Sequence, residues 1–431
     1  MISLLIVIAI ILSIALGYKT KINTGFFAMA FAYLIGSFIL GMKAKYVVDA
    51  WPIKIFFIIF AVSLFYNFAI LNGTLDRLSQ HLLYKTRKVP QLLPFAIFAA
   101  AMIVAALGAG YYSVLAFFAP MTLILCEKTG LSKLTGALAV NYGCLAGSNF
   151  MTSASGVIFK GLIENAGYGK NEFSYTTMIF AVSVLIPVMI LTILVIKNRK
   201  NIISKTHINI PIPEKFNKQQ KTNLKLIFTM VFFVLLVPIL KIILPQNETI
   251  AFINSKMHIG LIAIIFSIIA LILNLGKQNE VIARVPWETI IMICGVGMLI
   301  SIAIKAGTIG LLAGWIGTNI PIAMVPIALC IVGGIMSFFA STLGVVAPAL
   351  FPIVPSIAVV TGLNPAILFT AIIVGAQATS VSPFSSGGSL ILGSEREEHK
   401  EILYKSLLFK GAPLSLIFTV VFSAITAYIL S

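Results

Sequence analysis

The chain has 431 residues, of which 59% are hydrophobic and only 10% charged, with a mean hydropathy of +1.06. This excludes a soluble globule and describes a polytopic membrane protein. A net charge of +17 would suggest nucleic acid in a soluble chain. Here the lysines cluster in loops between apolar runs, which assigns them to topology and to anionic lipid headgroups and excludes a nucleic-acid partner.

Residues 1–18 carry no basic leader and no cleavage pattern, so they are expected to be a retained membrane helix. About 20 apolar residues cross the hydrocarbon core. Runs of that kind lie near 1–18, 24–42, 51–72, 132–166, 174–196, 223–243, 257–275, 287–306, 364–394 and 403–430. The runs at 132–166 and 364–394 are interrupted. Two stretches, 92–127 and 321–360, are each a pair of short apolar arms around a tip: Gly108-Ala109-Gly110 in the first, Ala340-Ser341-Thr342 in the second. Arms of about 15 residues, at a rise of about 1.5 Å each, reach only part way through a bilayer. They are therefore expected to be re-entrant helical hairpins, buried in protein or lining a cavity. Residues 74–88 set Leu75, Leu78, Leu82 and Leu83 against Asp76, Arg77, Lys85 and Arg87, the pattern of an amphipathic helix at the cytoplasmic interface; a solvated loop is the competing reading.

Basic residues set the orientation. Stretch 197–225 holds Lys197, Arg199, Lys200, Lys205, Lys215, Lys218, Lys221 and Lys225, and 73–91, 276–286 and 395–402 are also basic, whereas 306–363 has no charged residue. The positive-inside rule then gives ten spanning helices with both termini outside an inner (cytoplasmic) membrane. Lys43 and Lys45, in an external loop, count against it.

The chain repeats itself. Pro94 to Ile158 aligns without a gap on Pro326 to Leu390 at an offset of 232, with about a fifth of positions identical. The matches include Pro120 with Pro352, Thr129-Gly130-Leu131 with Thr361-Gly362-Leu363, Gly143 with Gly375, Ser148 with Ser380, Ser153 with Ser385, and Gly156 with Gly388. Five spans per half is an odd number, so the copies are expected to be inverted. The predicted organisation is an N-terminal repeat, 1–197, a basic linker, 198–222, and a C-terminal repeat, 223–431. The expected fold is all-α, with two inverted-topology repeats of five membrane helices (one broken) and one re-entrant hairpin each.

Each copy ends in a hydroxyl-rich interruption, which is the best sequence pointer to a secondary-transport site. The first offers Ser148, Asn149, Thr152, Ser153 and Ser155, the second Thr379, Ser380, Ser382, Ser385 and Ser386. Unwound carbonyls and half-helix C-termini suit a hard cation, and half-helix N-termini suit an anion. Small polar residues also mediate ordinary helix packing in membranes, but two clusters at one register of a duplicated unit favour a site. Substrate ligands are thus expected among these residues (Ser155 aside) and Ser341 and Thr342. Cation ligands are expected among Gly108, Gly110, Gly147, Ser148, Asn149, Ser341, Thr342, Thr379 and Ser380. No Asp, Glu or His occurs in 89–126, 128–163 or 289–394, which argues against proton exchange and metal chemistry and favours Na⁺ on neutral oxygens. Cys126, Cys144, Cys294 and Cys330 show no pairing pattern and are expected to be packing residues. No nucleophile–base pair marks an enzyme.

The stretches Gly147-Ser148-Asn149 through Gly156 and Ser382 through Gly388, with the duplicated hairpins, resemble the ion transporter superfamily, and within it the divalent anion–sodium symporters (DASS) and MatC-type dicarboxylate carriers. The symporters carry a Ser-Asn-Thr signature at each hairpin tip. Here the second tip keeps Ser341 and Thr342 without the Asn, and the first keeps neither. The resemblance implies a homodimeric elevator in which hairpins and broken helices move against a scaffold. Its cargo would be a small carboxylate such as malonate, malate or succinate, with Na⁺ as coupling ion and no other cofactor. A cation/proton antiporter or oxyanion exporter of the same superfamily is the alternative.

Overall fold

The computed structural model describes residues 2–86, 92–198 and 212–430. Arg87 and Lys88 of the predicted interfacial helix, and Arg199, Lys200 and Lys205 of the linker, lie outside the described residues. Among the described residues every regular element is helical, with no strand. Inside hydrocarbon only intrasegment hydrogen bonds can satisfy the backbone, so apolar runs become helices. Their hydroxyls are hidden the same way: Ser13, Thr192 and Ser267 donate to the carbonyls four residues back at 2.8, 2.7 and 2.8 Å. The periphery is apolar, with Phe38, Ile196, Ile272 and Phe409 exposed on the surface that faces lipid. The protein is a multi-pass, all-α membrane protein.

All ten predicted runs are helical. Length and apolarity mark seven helices able to cross a membrane, or up to nine if bent pairs count as one span. The difference from ten has a physical cause. Both broken runs divide into half-helices too short to qualify singly: Lys133–Ser148 with Ala154–Ile163, and Pro365–Ala378 with Ser386–Gly393. Thr24–Ile39 is also short, and Ile259–Ile272 qualifies only together with Glu248–Lys256, from which it is bent by 69°. Conversely, the second arm of the second hairpin, Thr342–Thr361, is long enough to qualify.

The halves interlock. Thr24–Tyr33 packs on Trp287–Lys305, and Ile53–Leu71 packs on Ile259–Ile272. Adding 232 to Thr24 gives 256 and to Ile53 gives 285, so each pairing is the other with the halves exchanged. The first contact is made backbone to backbone: a Cβ on Gly295 would lie 2.3 Å from the Gly25 carbonyl oxygen. The same correspondence governs the hairpins. Leu93–Ala106 lies along Lys133–Ser148, and Val325–Phe339 along Pro365–Ala378. Gly143 and Gly375 permit both approaches. A Cβ on either would come within 2.5 Å of the Phe98 carbonyl oxygen or 2.1 Å of that of Cys330.

Two elements differ from expectation. The amphipathic helix is present at Thr74–Thr86, but its leucine face is turned to protein. Leu75 is buried, and Leu78 and Leu82 pack on the core beside the first hairpin. Its counterpart at the same offset, Thr308–Asn319, falls where the sequence predicts an external loop before the second hairpin. It turns by 119° into the second hairpin and exposes Leu311 and Trp315. Being apolar on every side, it has no amphipathic signature in the sequence. Gly317 on this helix faces Val360, so the two ends of the second hairpin lie together.

Candidate substrate cavity

Each break begins where a helix runs out of backbone partners and ends on a serine cap. Ser153 precedes Ala154–Ile163 and donates to the carbonyls of Gly147 and Phe150 at 2.9 and 2.8 Å. Ser385 precedes Ser386–Gly393, donates to the carbonyls of Ser380 and Ser382 at 2.5 and 2.7 Å, and accepts from Gly388 N at 3.1 Å. Equivalent residues of the two copies thus hold the two unwound segments in the same way.

The breaks touch. Asn149 and Gln377 exchange amide hydrogen bonds, Nδ2 to Oε1 at 2.9 Å and Nε2 to Oδ1 at 3.0 Å, and Asn149 also donates to Ser183 at 2.8 Å. Asn141 donates to Ser380 Oγ at 2.8 Å and accepts from the Tyr111 hydroxyl at 2.6 Å, bringing the first tip into the network. Tyr142 donates to the Ala378 carbonyl at 2.9 Å. Thr379 donates to the Gly334 carbonyl at 2.9 Å, tying the second break to its own hairpin. At the second tip, Ser337 and Thr342 share a hydrogen bond of 2.8 Å, and Ser341 Oγ accepts from Gly344 N at 3.1 Å.

These elements enclose a cavity of about 560 Å³. Of the predicted ligands, Gly108, Gly110, Ser341, Thr342, Ser380, Ser385 and Ser386 line it. Ser148, Asn149, Thr152, Ser153, Thr379, Ser382 and Gly147 do not; they are buried behind the lining. Two of these are left without a partner: Ser148 Oγ and Thr152 Oγ1 make no hydrogen bond among the described residues. Uncommitted buried oxygens of this type are what a hard cation takes as ligands.

The lining also contains residues that the sequence did not single out as ligands, among them Tyr66, Asn67, Tyr111, Tyr112, Ser113, Gln377, Lys21, Arg284 and Glu288. Gln377 was legible as an amide in an apolar run, one turn before Ser380. Of the charged three, Lys21 and Arg284 follow helix ends and Glu288 sits in the first turn of Trp287–Lys305, all outside the hairpins, where a sequence shows only topology. Four helical segments begin on this cavity, at Tyr111, Ala154, Thr342 and Ser386, and their first residues line it. Helix N-termini present free N–H groups and partial positive charge, so their convergence favours an anion without a charged residue in the tips or breaks.

Comparison with known proteins bears on this arrangement. Residues 1–148 match the family model of the dicarboxylate carrier protein MatC N-terminus, and over those residues the chain is similar to MatC-type carriers. No curated protein matches the chain. Among solved structures, the chain shares its fold with the YdaH transporter of Alcanivorax borkumensis. The TM-score is 0.54 at 14% identity, covering 89% of this chain and 87% of that one. It shares it too with MtrF of Neisseria gonorrhoeae, described as illuminating a class of antimetabolite efflux pumps, with a TM-score of 0.57 at 13% identity over 91% and 84% of the two chains. The family match covers the first 148 of 431 residues, and the two solved transporters share the fold of the chain.

Proposed function

We propose that the protein is a secondary transporter of small carboxylates, a dicarboxylate such as malonate, malate or succinate, coupled to Na⁺. The observation that carries this reading is the meeting of four helix N-termini, both hairpin tips and both breaks on one cavity. A carboxylate there is bound by N–H groups and by the hydroxyls of Ser341, Thr342, Ser380, Ser385 and Ser386. Na⁺ is held at the first break by the free oxygens of Ser148 and Thr152, and its charge offsets that of the anion. The halves are inverted repeats. Hairpins and broken helices move as an elevator against a scaffold built from Thr24–Tyr33, Ile53–Leu71, Ile259–Ile272 and Trp287–Lys305, and a second copy docks on that scaffold.

The test is uptake of labelled malonate, malate or succinate by proteoliposomes. Uptake that collapses when choline replaces Na⁺ is the expected result; an equal rate in choline removes the coupling, and no uptake of any of the three removes the substrate class.

One observation favours a second reading, proton-driven exchange. Glu288 lies one residue outside the carboxylate-free stretch and lines the cavity. Dye-reported proton movement driven by a Na⁺ or substrate gradient, lost in Glu288→Gln, would establish it in place of Na⁺ symport.

A further inference from the structure

We infer that Lys21 and Arg284 form an anion-capture rim on the scaffold, a way-station of opposite character to the uncharged bed of hydroxyls and N–H groups below it. The inference rests on the carboxylate reading and adds a second subsite to it. Both side chains line the cavity, and with Glu288 they are its charged lining residues among those described. Arg284 ends the short helix Gln278–Ala283 and is exposed. Among the described residues it has no carboxylate partner, although Glu288 is four residues away. An unpaired guanidinium on the wall of a low-dielectric cleft focuses its field on whatever enters.

Lys21 is the more telling residue. It caps Ile2–Thr20 in the left-handed conformation, φ +63°, with its N–H on the Gly17 carbonyl at 3.0 Å. Glycine is the usual residue at such a C-terminal position, because a Cβ is strained there. A lysine at this position carries backbone strain that a glycine would not, and the rim gives its ammonium a use. It lies 4.6 Å from the centroid of the Tyr18 ring, another lining residue, so the exposed ammonium rests against the cavity wall.

The rim is assembled across the two halves. Asn23 donates through Nδ2 to the Glu288 carbonyl at 2.8 Å while its Oδ1 accepts from Gly25 N at 2.9 Å. That staple fixes the Lys21 loop against the 284–288 segment. Both loops belong to the scaffold, so cations there cannot travel with a moving bed. Their chemistry fits capture and hand-over: they raise the local concentration of a dianion at the mouth, and the neutral bed then takes it without a strong ion pair to break.

The experiment is homoexchange of labelled malonate in proteoliposomes at fixed Na⁺. Ionic strength is varied with choline chloride from about 0.01 M to about 1 M, over which the Debye length falls from about 30 Å to about 3 Å. Arg284→Gln is expected to lower kcat/KM about three- to tenfold at low ionic strength through KM, with kcat kept and the deficit vanishing at high ionic strength. Arg284→Lys retains most of the low-salt rate. Lys21→Gly is the decisive variant, since it relieves backbone strain while removing the charge: its thermal midpoint rises as its low-salt kcat/KM falls. Arg284→Gln and Lys21→Gly proteins whose salt profiles superimpose on wild type overturn the rim, as does a deficit equal at all ionic strengths, which marks a structural role. A wild type that exchanges none of the carboxylates fails the transport reading itself, a result recognisable before any variant is made.

Discussion

Asn149 and Gln377 carry the most consequential contact at the residue scale, because each amide satisfies the other where both are buried. Removing one leaves the other unpaired, at a cost of about 1–3 kcal/mol. Asn149→Ala is therefore expected to abolish uptake while the protein still reaches the membrane. A double-mutant cycle with Gln377→Ala should show a coupling of about 0.5–3 kcal/mol in thermal or denaturant unfolding; additive losses would mean that the two breaks are not linked through this pair. The first tip offers a sharper contrast. Gly108 sits at φ +98° with the Tyr66 ring where a Cβ would go, whereas Gly110 has φ −60° and nothing within 4 Å. Gly108→Ala should cost about 1–3 kcal/mol by overpacking and backbone strain together, and Gly110→Ala should leave the thermal midpoint near wild type. In the sequence the two glycines look alike; only the ring across the gap separates them.

At the scale of elements, the hairpins depend on small residues that let backbone meet backbone. Gly147 was expected as a cation ligand on its position in the break. The structure places it against the first arm, where a Cβ would lie 2.1 Å from the Met102 carbonyl oxygen. Gly143→Val and Gly375→Val should each push an arm off its broken helix and lower the thermal midpoint, with comparable losses because the contacts correspond. A loss at one site only would show that the halves use their glycines differently. The breaks themselves were legible as hydroxyl-rich gaps in apolar runs. Which hydroxyls face the cavity was not, since Ser153 holds carbonyls of its own segment behind the lining while Ser341, Ser385 and Ser386 reach it.

For the whole molecule, the proposed inversion of the halves makes a prediction about sides. The four native cysteines are buried, so single cysteines report without background. An impermeant maleimide on intact cells should label Lys43→Cys and Lys170→Cys and spare Lys85→Cys and Lys277→Cys until the membrane is opened. Labelling of all four, or of the opposite pair, rejects the topology. The proposed elevator predicts that contacts between scaffold and moving parts break during transport. Lys54 on the scaffold pairs with Glu164 beyond the first broken helix at 3.2 Å, and the Tyr66 hydroxyl donates to the Thr152 carbonyl at 3.1 Å. Joining Lys54→Cys to Glu164→Cys with a short thiol crosslinker should stop uptake reversibly, and unimpaired transport in the crosslinked protein would exclude relative motion at this boundary.

Hydropathy and the offset of 232 were enough to determine a helical membrane protein with two corresponding halves, two tips and two breaks. Those properties follow from local rules: hydrocarbon demands helices, and helices need glycine, proline or a serine cap to stop. Tertiary structure alone decided that the two breaks bond to each other through Asn149 and Gln377, that half of the expected ligands stand behind the cavity, and that Lys21 and Arg284 reach it. Such facts depend on which residues meet across more than two hundred positions of chain, a distance over which side-chain direction and packing leave no periodic trace in the sequence.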